Sequence, residues 1–106
     1  MKYALVTGGS RGLGRAICLK FAQMGIPVIV NYQSNKQAAE EVCAEICNNG
    51  GSASILQFDV ALENEVNTAL EAWEKEHPED YIAYLVNNAG IRRDNLMFMM
   101  PTEDWH

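Results

Sequence analysis

The sequence predicts an α/β fold, the first half of a doubly wound parallel sheet with four strands and three helices, and three observations carry that prediction. Apolar runs of strand length alternate with segments of helical period along the chain. The glycine-rich stretch Thr7-Gly8-Gly9-Ser10-Arg11-Gly12-Leu13-Gly14 lies directly after the first apolar run and before the first amphipathic segment. A second glycine-bearing turn, Asn87-Asn88-Ala89-Gly90, follows the fourth apolar run. At 106 residues, with no internal repeat, low-complexity stretch or linker, the chain has room for one modest domain and not for two.

Tyr3-Ala4-Leu5-Val6 reads as strand one. Helix one starts near Gly12 and carries Leu13, Ala16, Ile17, Phe21 and Met24 at helical spacing as its expected inward stripe, with Gly25 as its stop. Pro27 precedes strand two, Val28-Ile29-Val30-Asn31-Tyr32, which turns polar at its end. Helix two follows with Ala38, Ala39, Val42 and Ile46 inward, until Asn49-Gly50-Gly51 breaks it. Strand three is Ala53 to Phe58. Helix three runs from about Glu63 to His77 with Val66, Ala69, Leu70 and Trp73 inward, and Glu63, Glu65, Glu71, Glu74 and Glu76 form a solvated outer face. Ile82 to Val86 is strand four. Beyond it lie the methionine-rich stretch Leu96 to Met100 and then Thr102, whose side chain and following acids have the chemistry of a helix N-cap. The helix it announces has no room to form, so the chain is expected to stop in mid-fold, with carbonyls and an apolar face unmatched.

The glycine loop carries the chemistry. A strand–loop–helix turn this tight needs glycine where the backbone takes positive φ, where it touches a phosphate, and where the helix packs against its strand. Gly8, Gly12 and Gly14 fill those three places. Backbone N–H groups at the helix start lack intrahelical partners and sit at the positive end of the helix dipole, so they face an anion. A dinucleotide pyrophosphate fits. An ordinary glycine-rich turn would contain the same residues; the strand before and the helix after supply the context that the binding motif requires.

The segment Asn31-Tyr32-Gln33-Ser34 stands where an NAD-selective site places an acid on the adenosine ribose, and it contains none. Arg11 could instead pair with a 2′-phosphate through its planar guanidinium, or could be a solvated loop arginine. The combination favours NADP. Asp59-Val60 closes strand three at the carboxyl edge of the sheet, where ligands of α/β proteins sit; Asp59 could also simply cap the following loop.

Composition narrows the function classes. Fourteen acids against eight basic residues argue against a general nucleic-acid or membrane-surface binder. No basic region followed by a long apolar stretch is present, so no signal peptide or membrane span is expected, and the location is expected to be cytoplasmic. Cys18, Cys43 and Cys47, with His77 and His106, offer no spacing for a metal site, and none is expected. Cys43 and Cys47 share a helix face at i,i+4 and read as small apolar residues or surface thiols in a reducing compartment.

The pairing of Thr7-Gly8-x-x-x-Gly12-x-Gly14 with Asn87-Asn88-Ala89-Gly90 resembles the short-chain dehydrogenase/reductase family, over essentially the whole chain. The continuation Gly90-Ile91-Arg92-Arg93-Asp94-Asn95-Leu96 is similar to the 3-oxoacyl-acyl-carrier-protein reductases within it. The resemblance implies a Rossmann-type sheet binding NADP, with the loop Gly8, Gly9, Ser10, Arg11, Gly12, Leu13 and Gly14 on the pyrophosphate. It places Gln33 and Ser34 beside the 2′-phosphate, Asp59 and Val60 around the adenine, and Asn88, Ala89 and Gly90 along the ribose. Three residues depart from the family's habit: Ala61 stands for a capping Ser or Thr, Ala83 for an aspartate, and Arg92 for a threonine.

The family's catalytic groups are a serine, a tyrosine and lysine spaced YxxxK, and an assisting asparagine. Tyr32-Gln33-Ser34-Asn35-Lys36 satisfies YxxxK in letters only, because it follows strand two on the adenosine side, out of reach of a nicotinamide. The catalytic residues are therefore expected beyond His106, with none in this chain. The resemblance implies NADPH-dependent reduction of a 3-oxoacyl thioester on acyl carrier protein, in fatty-acid biosynthesis, by a homotetramer. Another NADP-linked reductase of a small ketone or sugar, or a non-catalytic nucleotide-binding module, are the alternatives.

Overall fold

Seven elements in strict strand–helix alternation make up the computed structural model, which describes residues 1–10 and 12–88: β1 Lys2–Val6, α1 Gly12–Gln23, β2 Val28–Tyr32, α2 Lys36–Asn48, β3 Ala53–Gln57, α3 Glu63–Glu76 and β4 Tyr81–Val86. Every expected strand and helix among these residues is present, with ends within two residues of the sequence reading. Arg11, Ala89, Gly90, the stretch 96–100 and Thr102 lie outside the described residues.

The strands form one parallel sheet in the order β3-β2-β1-β4. The first two crossovers step outward from β1 to β2 to β3; the third returns across the sheet to the other side of β1. Right-handed crossovers running in opposite directions put their helices on opposite faces. So α1 and α2 cover one face and α3 the other, and the strand order reverses between β1 and β4, the place where open α/β sheets bind ligands.

Alternation along the strands feeds the two cores. Ala4, Val6, Val28, Val30 and Val86 pack with Cys18 and Phe21 of α1 and Val42 and Ile46 of α2, while Leu5, Ile29 and Leu85 pack with Leu70 and Trp73 of α3. Strands buried on both faces need nearly continuous apolar runs, which is how β1, β2 and β4 read. In β4 the register slips between Tyr3 and Ala4, which pair with Ile82 and Tyr84 and leave Ala83 as the extra residue. This bulge lets Ile82 and Leu85, three apart, reach the same core. Trp73 stacks on His77 at 4.4 Å and meets Tyr3 edge-on at 5.1 Å; its indole nitrogen finds no partner among the described residues.

One expectation is corrected. Leu13 and Met24 are 52% and 60% exposed and Ala16 is exposed too, while the buried line of α1 is Gly14, Cys18 and Phe21. The close approach of Gly14 to the loop sets the rotation of the helix, and large apolar side chains take the positions left over. The other two helices present their expected stripes, with Ala39, Val42 and Ile46 of α2 and Leu70 and Trp73 of α3 buried. The five glutamates of α3 all face solvent, as expected.

Candidate functional site

The carboxyl ends of β1, β2 and β3 open onto a groove of about 330 Å³. Of the residues singled out by sequence, Gly8, Ser10, Gln33, Ser34, Val60 and Asn88 line it. Gly9, Gly12, Leu13, Gly14 and Asp59 do not line it; Gly14 and Asp59 touch residues that do, Gly8 and Gln33.

The glycine loop is the floor. Gly8 and Gly12 have φ of 61° and 57°, the left-handed region that glycine enters without strain. A Cβ on Gly14 would lie 2.2 Å from the Gly8 carbonyl oxygen and 2.6 Å from the Asn88 amide nitrogen. The helix start and the loop are thus in backbone contact, and the Asn88 amide donates to the same Gly8 oxygen at 3.0 Å. This one interaction joins the two motifs found by sequence: the asparagine turn after β4 clamps the glycine loop after β1. Thr7 ties the same ends, its N–H donating to the Val86 carbonyl at 3.0 Å and its hydroxyl lying 3.2 Å from Asn87 Oδ1. Gly9 is buried, and a Cβ there would meet Cys18 Sγ at 2.9 Å. Burial pushes the Cys18 thiol up from 9.0 to about 12, with the neighbouring Cys43 adding to the shift; burial, then Cys47 and Glu40, push Cys43 up to about 11. Thiols held protonated are poor metal ligands and nucleophiles, and no cluster of three metal-ligating side chains exists among the described residues.

Sequence reasoning passed over Asn31. It is 2% exposed at the end of β2. Its Oδ1 accepts from Gly8 N–H at 3.1 Å, and its Nδ2 donates to the carbonyls of Leu56 at 3.2 Å and Phe58 at 3.1 Å. Its own carbonyl accepts from Gly9 N–H at 3.2 Å. Asn31 therefore buttons the glycine loop to β2 and β3, its side-chain oxygen taking up the Gly8 N–H and its backbone carbonyl the Gly9 N–H, which leaves an anion to the donors further along the loop. The available signal was an asparagine inside an apolar strand, a position where that residue is disfavoured unless its side chain is bonded.

The rim is built from side chains. Gln33 Nε2 donates to Asp59 Oδ2 at 3.1 Å, and Gln57 Nε2 donates to the Gln33 carbonyl at 2.9 Å. Asp59 Oδ1 accepts from Ala61 N–H at 2.9 Å, the loop-capping role foreseen for it. Asn35 caps α2 by accepting from Ala38 N–H at 3.0 Å. Tyr32 ends β2 and Lys36 opens α2, so the YxxxK letters fall on this rim.

The profile described as short chain dehydrogenase matches residues 2–106. The chain is 46% identical to a 3-oxoacyl-[acyl-carrier-protein] reductase of Synechocystis over 96% of its own length and 40% of the relative's. It is 53% identical to the uncharacterized oxidoreductase YgfF of Escherichia coli, over 86% of this chain and 36% of that one. A 3-oxoacyl-[acyl-carrier-protein] reductase of Staphylococcus aureus is 42% identical over 98% of this chain and 42% of the relative. The chain thus spans about two-fifths of the length of these relatives. Among solved structures, the reductase LugOII, which catalyses a keto-reduction in lugdunomycin biosynthesis, superposes with a TM-score of 0.76 at 35% identity, over 88% of this chain and 38% of that one. A metagenomic short-chain oxidoreductase in complex with NADP gives 0.77 at 30% identity, over 85% and 39%.

Proposed function

The chain belongs to the short-chain dehydrogenase family, and on that premise we propose that residues 1–106 are the NADP-binding half of an oxidoreductase that reduces a 3-oxoacyl thioester on acyl carrier protein. The observation that carries the cofactor reading is the wall of the groove: Gly8 and Ser10 from the glycine loop, Gln33 and Ser34 from the segment after β2, and no carboxylate among its described lining residues. A free ribose 2′-hydroxyl calls for an acceptor there; a 2′-phosphate calls for donors. The solved relative in complex with NADP supports the same choice.

The residues fit the group. The contact between Gly14 and the Gly8 carbonyl holds the loop at the helix start, so the N–H groups beyond Gly9 take the pyrophosphate. Gln33, Ser34 and Arg11 take the 2′-phosphate, Asp59 and Val60 flank the adenine, and Asn88, Ala89 and Gly90 run along the ribose. Bound NADPH supplies the hydride. The general acid that protonates the carbonyl oxygen must lie within hydrogen-bond reach of it, and in this reading it belongs to the part of the relatives that this chain does not span. Tyr32 and Lys36 stay on the adenosine side. The acyl-carrier substrate rests on the two reductases of that name at 46% and 42% identity, and a homotetrameric assembly is proposed with it. Reduction of a different small ketone or sugar is the second reading; Arg92, where that subfamily's motif has threonine, and the keto-reductase neighbour favour it.

The test uses the intact protein. NADPH and NADH are titrated by fluorescence, and turnover of an acetoacetyl thioester is followed by loss of NADPH absorbance. Preference for NADPH, transferred toward NADH by Gln33→Asp with Arg11→Ala, is the expected result, at about 1.5–3 kcal/mol for each lost charged hydrogen bond. An unchanged preference refutes the assignment. Turnover abolished by Tyr32→Phe would make the rim tyrosine catalytic and the site misread.

A further inference from the structure

Gln33 lies one residue past the last paired position of β2, Tyr32 against Gln57, so the sheet ladder does not fix it. Two side chains from the end of β3 do. The Gln57 amide donates to its backbone carbonyl at 2.9 Å, and the Asp59 carboxylate accepts from its side-chain amide at 3.1 Å. The grip is itself anchored, because Asp59 also accepts from Ala61 N–H at 2.9 Å and its own N–H donates to Glu65 Oε1 at 3.0 Å, in the first turn of α3.

We propose that Gln57 and Asp59 are positioning residues that set the preference of this groove for a 2′-phosphorylated adenosine by holding Gln33 in place; the proposal rests on the role given to Gln33 above. An exposed glutamine has three rotatable bonds, and a ligand that used it free would have to freeze them on binding. Gripped by β3, Gln33 enters the complex already ordered, and its amide occupies the side of Asp59 that would otherwise turn an unscreened carboxylate toward the incoming phosphate. Gln57 separates positioning from contact. It is neutral and does not line the groove, so replacing it alters neither the charge nor the wall that the ligand meets.

The experiment measures dissociation constants of NADP and NAD by calorimetry on the intact protein. Gln57→Leu should raise the NADP constant about three- to tenfold, the size of one net hydrogen bond, and leave the NAD constant within about twofold. Gln57→Met, similar in length and neutral but without an N–H to donate, should do as much. In a Gln33→Ala background Gln57→Leu should no longer move the ratio. Parallel loss for both nucleotides would mean a general loosening and overturn the proposal. So would an unmoved ratio, or an effect of equal size with Gln33 removed. Wild-type protein that binds neither nucleotide defeats the cofactor reading and this proposal together, whereas wild-type preference for NADP with unmoved variants defeats this proposal alone.

Discussion

The floor and the rim of the groove are built on different principles. On the floor, Gly14 abuts the Gly8 carbonyl with no space for a methyl group, and buried Asn31 and part-buried Asn88 close the backbone around it. On the rim, exposed Gln33 and Gln57 and half-buried Asp59 meet through side-chain hydrogen bonds within reach of water. A backbone contact tolerates no substitution because nothing can rotate away, whereas an exposed side-chain contact gives way at small cost to the fold. The floor should therefore govern whether the protein folds and binds at all, and the rim what it prefers.

The largest expected effect comes from breaking the floor at its tightest point. Gly14→Ala should cost about 3 kcal/mol or more, at the upper end of overpacking penalties, because both groups it meets are held in place. Gly12 is a control in the same loop: it has positive φ but open space where a methyl group would stand, so Gly12→Ala should cost only the left-handed strain, about 1–2 kcal/mol. Urea denaturation of the two variants checks this, and equal losses would show that conformation rather than contact makes the floor rigid.

Asn31 ranks next. Asn31→Leu has similar volume but strips partners from Gly8 N–H and from two carbonyls, at about 1–3 kcal/mol for each group left buried and unpaired. Asn31→Asp keeps an acceptor for Gly8 yet turns a carboxylate toward the Leu56 and Phe58 carbonyls, and should be no better tolerated. By contrast, Gln33→Ala on the rim should stay within about 0.5 kcal/mol of wild type in stability while changing the nucleotide ratio. A Gln33 variant that destabilised as much as Asn31→Leu would erase the distinction between floor and rim.

Alkaline pH separates the two regions again. Cys18 lies under Gly9, and its thiol is pushed up from 9.0 to about 12 in the folded protein. Below pH 9 both folded and unfolded chains keep that proton and stability is flat in this group; above it the unfolded chain releases the proton first, so stability falls as pH rises toward about 12. Cys18→Ala should flatten the decline in denaturation midpoint above pH 9, at a constant offset for the lost packing. Thiol labelling at neutral pH should find exposed Cys47 first and Cys18 only on unfolding; early labelling of Cys18 would mean that the floor opens readily.

What the sequence revealed follows the same division. Strands buried on both faces must be apolar, and a loop that takes left-handed backbone at Gly8 and Gly12 and leaves no room for a Cβ at Gly14 favours glycine there, so the sheet, its helices and the glycine pattern of the loop were legible from residue type and spacing. The rotation of α1 was not, since its buried line begins at a glycine and leaves Leu13 exposed. Asn31 was read as the polar end of a strand because its partners are carbonyls from β3, which no local pattern announces. Gln57 was invisible for the same reason: a glutamine on an edge strand looks solvated until its distance to Gln33 is known.

The smallest effect expected lies outside both regions, at the start of α3. The residue before this helix, Leu62, is 49% exposed and makes no side-chain capping hydrogen bond. Its carbonyl already accepts from Glu65 and Val66 at 2.9 and 3.1 Å, so the first turn is wound but its donors lack a side-chain acceptor. Ala61, at the place where the family usually has a capping Ser or Thr, sits one residue earlier and contributes none. Leu62→Ser puts a hydroxyl in the extended backbone conformation that an N-cap needs, with φ of −111° and ψ of 100°. Replacing an uncapped start by Ser should stabilise the protein by about 0.5–1 kcal/mol, and the loss of exposed leucine surface should subtract little from that. Because α3 carries Glu65, which accepts from Asp59 N–H, the firmer turn should leave nucleotide preference unchanged while raising the melting temperature. A shift in preference would show that the rim draws its order from α3 rather than from β3, and would reassign the source of that order to the helix.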